Sequence, residues 1–194
     1  MKKTLEIGIT GGIGSGKTHV TKVFLALGVP IYYADDRAKW LMNNNRKIIS
    51  GVKELFGKKA YTKLGLDRAY LSNKIFKDNE LLTALNQVVH PAVFSDYKKW
   101  VNDQQRPYIL KEAALLFESS SYKKLDAIIT VDAPLETRIK RAMKRDNKLK
   151  AEIESRIKNQ LSNSIKVKAA DFVIINDGDT PLLPQILLLH QLWS

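Results

Sequence analysis

From Gly11 to Thr18 the chain reads Gly-Gly-Ile-Gly-Ser-Gly-Lys-Thr, and five of the nine residues from Gly8 to Gly16 are glycine. This fits G-x-x-x-x-G-K-[ST], set between an expected strand and an expected helix. Glycine allows successive backbone N–H groups to turn inward around an anion, because no Cβ stands in the way. A helix starting near Lys17 adds the positive end of its dipole. The chemistry implied is the binding of a nucleoside triphosphate. The expected contacts are Gly12, Ile13, Gly14, Ser15, Gly16, Lys17, Thr18 and His19. The Lys17 ammonium is expected to reach the β- and γ-phosphates, and the Thr18 hydroxyl to help hold Mg²⁺. No N-K-x-D motif for reading guanine occurs: Asn147-Lys148 is followed by Leu149-Lys150. ATP is therefore expected rather than GTP.

A triphosphate needs an acceptor, and phosphoryl transfer to a hydroxyl needs a group to orient it and take its proton. Asp35 and Asp36 follow the expected second strand, at the end where open parallel sheets bind ligands. Either aspartate could supply that carboxylate, or either could cap the helix that carries Ala38 and Trp40. Arg138, Arg141 and Arg145 recur at three- and four-residue spacing and are expected on one helical face. Leu135, Ile139, Ala142 and Met143 would form the apolar stripe opposite. Guanidiniums grouped in this way repel one another until an anion meets them, and a phosphoryl group in transfer is such an anion. Glu112 ends an expected strand and is the candidate metal-side carboxylate, beside Thr18. Asp132 reads as part of a helix start before Pro134, and His90 as the end of a helix before Pro91.

These residues need a scaffold. Five short stretches rich in β-branched and aromatic residues read as buried strands: 5–10, 29–33, 108–112, 127–132 and 171–176. Their alternation with helical patterns predicts an α/β fold, a five-stranded mostly parallel sheet flanked by helices. Two long stretches exceed ordinary crossovers. Residues 36–105 contain several helical patterns and read as a helical insertion, with turns at Asn43-Asn44-Asn45 and from Gly57 to Gly65. After the fourth strand comes a basic helical stretch that lacks Phe, Trp and Tyr. So little bulky apolar content predicts little burial there, and mobility.

The 194 residues carry a formal net charge of +12, with 44% hydrophobic and 27% charged residues. That composition is globular, and the charge attracts anions. The basic residues cluster on one helical stretch without interleaved aromatics, which argues against a single-strand nucleic-acid surface. Cysteine is absent, so disulfides and thiolate chemistry are excluded. The apolar start is broken by Glu6 and Lys17, unlike a secretory signal. The apolar run near the end is interrupted by Pro184, Gln185, His190 and Gln191, so no membrane span is expected. A cytoplasmic protein is expected, without nucleic-acid or membrane partners.

Several stretches taken together resemble the dephospho-CoA kinase family: "ITGGIGSGKT", "YYADDRAK", "DRAYLSNKIF", the His90-Pro91 pair, "ALLFE", "RAMKRD", "RIKNQ" and "ADFVIINDG". The likeness spans nearly the whole chain, in order. It implies a P-loop kinase fold related to nucleoside monophosphate kinases. The core would be residues 1–35, 106–140 and 168–194, with a CoA-substrate-binding insertion over 36–105 and a lid over 141–167. It implies ATP-dependent phosphorylation of the ribose 3′-hydroxyl of dephospho-CoA, the last step of coenzyme A synthesis. Dephospho-CoA is then the small-molecule partner, with ATP as co-substrate and Mg²⁺ as cofactor. The resemblance selects Asp35 as the base and matches Arg141 and Arg145, but not Arg138, to lid arginines. Tyr33 stands where the family has another aspartate, and Glu112 where it has an aspartate. Near the lid's end Lys166 remains of the family's Glu-Lys pair. Leu41, Tyr70, Leu71, Ile75, Phe76 and Phe94 are candidates to line a pantetheine groove. The alternative within the same core is a nucleoside or deoxynucleoside monophosphate kinase.

Overall fold

The computed structural model describes residues 3–75 and 78–194, so the groove candidate Phe76 lies outside the described residues. The chain divides into two compact units, Met1–Tyr33 with Gln104–Ser194, and Ala34–Asp103. The first unit carries a five-stranded sheet. Its strands are β1 (Leu5–Thr10), β2 (Ile31–Tyr33), β5 (Tyr108–Glu112), β6 (Ala127–Asp132) and β7 (Phe172–Ile175). Their order is β2-β5-β1-β6-β7, and every pairing is parallel. β1 lies at the centre, which is why its last four residues are buried and its sequence does not alternate. β2 is shorter than its apolar run. Pro30 has no N–H for a ladder, so pairing begins after it, although its carbonyl still accepts from Leu110 N at 2.9 Å.

Helices α1 (Lys17–Ala26) and α9 (Leu182–Trp193) bury one core with the sheet. Phe24, Val20, Ile7, Ile9, Ile129 and Ile174 are among its members. Phe24 is fully buried and meets the Tyr108 ring edge-on at 6.5 Å. Between β6 and β7 run α6 (Leu135–Asp146), α7 (Lys150–Lys158) and α8 (Asn163–Ala169). α6 ends on Asn147 in the left-handed conformation, a residue type that tolerates it. Among the described residues, no helix is long and apolar enough to cross a membrane.

The second unit is helical: α2 (Ala34–Asn44), α3 (Arg46–Phe56), α4 (Arg68–Ile75) and α5 (Asn79–Asn102), with a two-residue hairpin β3 (Tyr61–Thr62) and β4 (Gly65–Leu66). The asparagine triplet divides two of these helices, and Asn45 caps α3 by accepting from Lys47 N and Ile48 N. Arg37 on α2 forks onto Asp96 of α5 at 2.9 and 2.5 Å. Leu41 and Leu71 are buried in this unit's core, and Tyr70 and Ile75 pack against it. Phe94 is half-buried, with the Lys98 ammonium 4.8 Å from its ring.

One expectation fails here. α5 does not end at His90 but continues through Pro91 for another eleven residues, to Asn102. Proline removes one helical hydrogen bond and crowds the preceding turn, at a cost of roughly 3 kcal/mol. Leu85, Val89 and Tyr97 are buried on both sides of it, and α2, α3 and α4 all contact α5. Tertiary packing along the whole helix offsets the local penalty. His90 is therefore an exposed residue within a helix rather than a helix terminus.

Phe24→Ala is expected to destabilise the sheet unit by about 3–5 kcal/mol through lost burial and the cavity left behind. Urea unfolding followed by circular dichroism checks it, and an unchanged midpoint would contradict this account of the core.

Candidate active site

The phosphate-binding loop leaves the carboxyl end of β1 and closes into α1. Its shape depends on positions without side chains. Gly14 has φ +77, and a Cβ there would fall inside contact distance of the Arg138 carbonyl oxygen. At Gly11 a Cβ would lie 2.5 Å from the Val131 oxygen and 2.6 Å from Ser15 Oγ. Ser15 is buried and its hydroxyl has no hydrogen-bond partner among the described residues. Gly16 precedes α1 in the left-handed conformation.

The loop amides fall into two groups. Gly12 N donates to Asn163 Oδ1 at 2.8 Å, Ile13 N to Gln160 Oε1 at 3.1 Å, Ser15 N to Gly12 O at 3.1 Å, and His19 N to Gly16 O at 2.9 Å. The N–H groups of Gly14, Gly16 and Thr18 meet no protein acceptor among the described residues. These three stand at the start of a helix with no acidic residue in its first turn, the electrostatic setting of an anion site. Lys17 Nζ lies within the loop and donates to Gly11 O at 2.7 Å.

The carbonyls of the loop are tied as well. Arg138 Nε donates to Ile13 O at 3.1 Å, and Asn176 Nδ2 to Ser15 O at 2.7 Å. Asn163 Nδ2 donates to Asp132 Oδ1, while Asn176 N donates to Asp132 O at 2.7 Å. Asp132 thus does not cap α6, whose N-cap is Pro134 with no side-chain bond. It anchors the residue that holds Gly12. A cleft of about 530 Å³ opens beside this network, lined by Asp132, Pro134, Arg138, Ile157, Asn163 and Asp177 among others.

The three arginines do not share a face. Arg138 is only 5% exposed and sits with Ile139 and Ala142 on the buried side of α6, whereas Leu135, expected in the stripe, is 52% exposed. Arg138 and Ala142 are four apart, so the spacing that paired it with Arg141 placed it equally well on the apolar side. Burial lowers the Arg138 pKa, and the Asp132 carboxylate opposes that shift. Arg141 Nη1 donates to Asn176 O at 2.7 Å. Arg145 forks onto Asp146 at 2.7 and 3.0 Å, and Arg156 reaches the same carboxylate at 2.6 Å. The Arg145 hydrogen bond, with help from Arg156, draws the Asp146 carboxyl down to about 2 against the effect of burial.

The stretch from α6 to α8 is also better buried than its composition suggests. Ile139, Ala142 and Ile153 form a small core that takes in Ile13 of the loop, Met143 and Ile157. Lys166 is fully buried, its ammonium 2.8 Å from Glu118 Oε1 and donating to Ala114 O at 3.0 Å. The expectation of little burial therefore fails, because small aliphatic residues and one paired lysine bury this stretch without aromatics. Gln160, Asn163 and Asn176 were not identified from sequence. The only trace of them was that Gln160 and Asn176 fall inside the "RIKNQ" and "ADFVIINDG" stretches.

On the acceptor side, Glu112 is half-buried at the end of β5, in register with Ile9 of β1 and with Tyr33 of β2. Asp35 and Asp36 lie within the first turn of α2, so neither is its N-cap; both are exposed, and Asp36 pairs with Lys39 at 2.6 Å.

Comparison with known proteins bears on what this loop serves. A family model described as dephospho-CoA kinase matches residues 5–181. The chain belongs to the dephospho-CoA kinase family. A dephospho-CoA kinase of Bacteroides fragilis is 37% identical over 95% of this chain and 91% of its own length. One from Porphyromonas gingivalis is 36% identical over 94% of this chain and 91% of its own. A crystal structure of a Thermus thermophilus protein superposes with TM-score 0.90 at 33% identity, covering all of both chains. The dephospho-CoA kinase of Campylobacter jejuni, at 24% identity, shares the fold with TM-score 0.69 over 96% of this chain and 95% of its own. Membership makes the chain a kinase, a phosphoryl transferase with a nucleotide-binding P-loop.

Gly14→Ala is expected to weaken ATP binding about 10- to 100-fold, since a left-handed φ and a backbone clash each cost on the order of 1–3 kcal/mol. Isothermal titration with ATP reads the loss. Unaltered affinity would mean that the loop can re-form around a Cβ.

Proposed function

We propose that this chain transfers the γ-phosphoryl group of ATP to the ribose 3′-hydroxyl of dephospho-CoA, giving coenzyme A. The observation that carries the reading is that the Gly14, Gly16 and Thr18 amides meet no protein acceptor among the described residues, with Lys17 in the same loop, in a chain of this family. Those amides bind the anionic phosphates, and the Lys17 ammonium, released from Gly11 O, follows charge onto the γ-phosphate oxygens. Asp35 is exposed, two residues past the end of β2. In this reading it orients the acceptor hydroxyl and takes its proton as the oxygen attacks phosphorus. Arg141 and Arg145 supply positive charge for the group in transfer, Arg145 by exchanging the Asp146 carboxylate for phosphate oxygens.

Among the described residues no cluster of three or more His, Cys, Asp or Glu side chains could hold a metal ion. Mg²⁺ needs no such cluster, because it takes one or two protein oxygens and completes its shell with phosphates and water. The Thr18 hydroxyl, exposed in the first turn of α1, and the half-buried Glu112 carboxylate are hard oxygen donors that fit such a site. Bound there, Mg²⁺ would offset the charge of the triphosphate. A chain without cysteine fits a cytoplasmic place of action.

The decisive assay incubates purified protein with ATP, Mg²⁺ and either dephospho-CoA or a panel of nucleoside monophosphates. Phosphate gained by dephospho-CoA is the expected outcome; transfer to a nucleoside monophosphate alone would overturn the assignment. Asp35→Asn is expected to lower kcat by about 10²–10⁴-fold with ATP affinity near the wild-type value. Retained turnover would remove Asp35 from the mechanism. Lys17→Ala is expected to lower kcat/KM by about 10²–10³-fold, as for other electrostatic groups in such transition states. An unchanged value is incompatible with the triphosphate lying in this loop.

A further inference from the structure

We propose that Asn163 and Gln160 are positioning residues of the phosphate loop, holding the Gly12 and Ile13 amides away from the triphosphate so that those of Gly14, Gly16 and Thr18 converge on it. This deepens the reading of residues 11–18 as the ATP site, and rests on it. Gly12 and Ile13 follow Gly11 in the loop, and their N–H groups are held by the side-chain carbonyls of Asn163, the first residue of α8, and Gln160, between α7 and α8. Gly14, Gly16 and Thr18, which follow, keep N–H groups with no protein acceptor among the described residues. Had the Gly12 and Ile13 amides been unmet, all five would compete for the same anion, and nothing would fix where the ring begins.

The chemistry at position 163 is specific. The loop side offers a donor, the Gly12 N–H, and the strand side offers an acceptor, the Asp132 carboxylate. One carboxamide satisfies both, its oxygen toward the amide and its nitrogen toward the carboxylate. The reverse orientation would set donor against donor and acceptor against acceptor. The residue is only 9% exposed, so water cannot readily substitute for either partner. Asp132 is itself held, its backbone carbonyl accepting from Asn176 N, and Asn176 in turn holds Ser15 O. Register therefore passes from β6 through Asn163 and Asn176 to two points of the loop. Gln160 contributes an acceptor only, so its requirement is less strict: any side chain placing an oxygen near Ile13 N would serve.

The test follows from that asymmetry. Asn163→Asp keeps the acceptor for Gly12 N–H but sets two carboxylates against each other. The exchange Asp132→Asn with Asn163→Asp restores a complementary pair, because the new amide at 132 donates to the new carboxylate at 163. Steady-state kinetics with ATP and dephospho-CoA varied separately are the readout, with melting temperature measured for each variant. Asn163→Asp is expected to lower kcat/KM for ATP about 10- to 100-fold while leaving KM for dephospho-CoA within about threefold, and the exchange to recover most of the loss. Gln160→Ala is expected to lower kcat/KM for ATP, and Gln160→Glu, which keeps an acceptor, to lie closer to wild type. The proposal is overturned if the exchange is no better than Asn163→Asp alone, or if both substrates lose equally. Should Asn163→Asp fail to fold, the two Gln160 variants decide, and equal activity in both overturns it. Wild-type turnover in the same assay tests the underlying kinase reading separately.

Discussion

Three backbone N–H groups at the start of α1, those of Gly14, Gly16 and Thr18, meet no protein acceptor among the described residues, and the rest of the site depends on them. The loop's own sequence makes the geometry permissible. Glycine at 11, 14 and 16 removes the atoms that would collide with Val131 O, Arg138 O and Asn176 Nδ2. Permission is not enforcement, however, because glycine is also the residue with most freedom to lose. Enforcement comes from outside the loop. Arg138 and Asn176 donate to its carbonyls, while Asn163 and Gln160 accept from its amides. An oriented polar environment assembled before substrate binds costs no reorganisation during the reaction, which is the main source of electrostatic catalysis.

This changes what the segment between β6 and β7 is for. Its basic composition suggests a solvated flap that meets phosphate by carrying arginines to it. In the structure it begins as a wall of the loop: Arg138 lies against Gly12 and Gly14, and Ile153 shares a core with Ile13. α8 is fixed on its far side by the buried Lys166–Glu118 pair. A buried ion pair is weak evidence for stability, yet losing either partner leaves an unpaired buried charge. Arg141 and Arg145 remain on the more open flank of α6, one bonded to the Asn176 carbonyl and the other to Asp146.

Much of this was legible in the sequence, for physical reasons. Short stretches rich in β-branched and aromatic residues mark strands of a buried sheet, and β1, β5 and β6 begin and end where those stretches do. The glycine loop was legible because few other structures need that spacing followed by lysine and threonine. What escaped depended on long-range packing. Nothing local to His90-Pro91 reports that packing against α2, α3 and α4 carries α5 past the proline. Arg138 stands three residues from Leu135 and four from Ala142 but also three from Arg141, so its spacing fitted either face of α6. Asn163 resembles any polar residue near a helix start until Asp132 and Gly12 are placed on either side of it.

The tethers of the loop come from far along the chain. Arg138 lies 125 positions from Ile13, Gln160 147 positions from it, Asn163 151 from Gly12, and Asn176 161 from Ser15. The signature that names the loop is thus synthesised well before the groups that give it shape. A nascent chain carries a recognisable but unformed nucleotide site until those later residues are made. The tether of Ser15 O requires β7, the edge strand after which Asn176 follows.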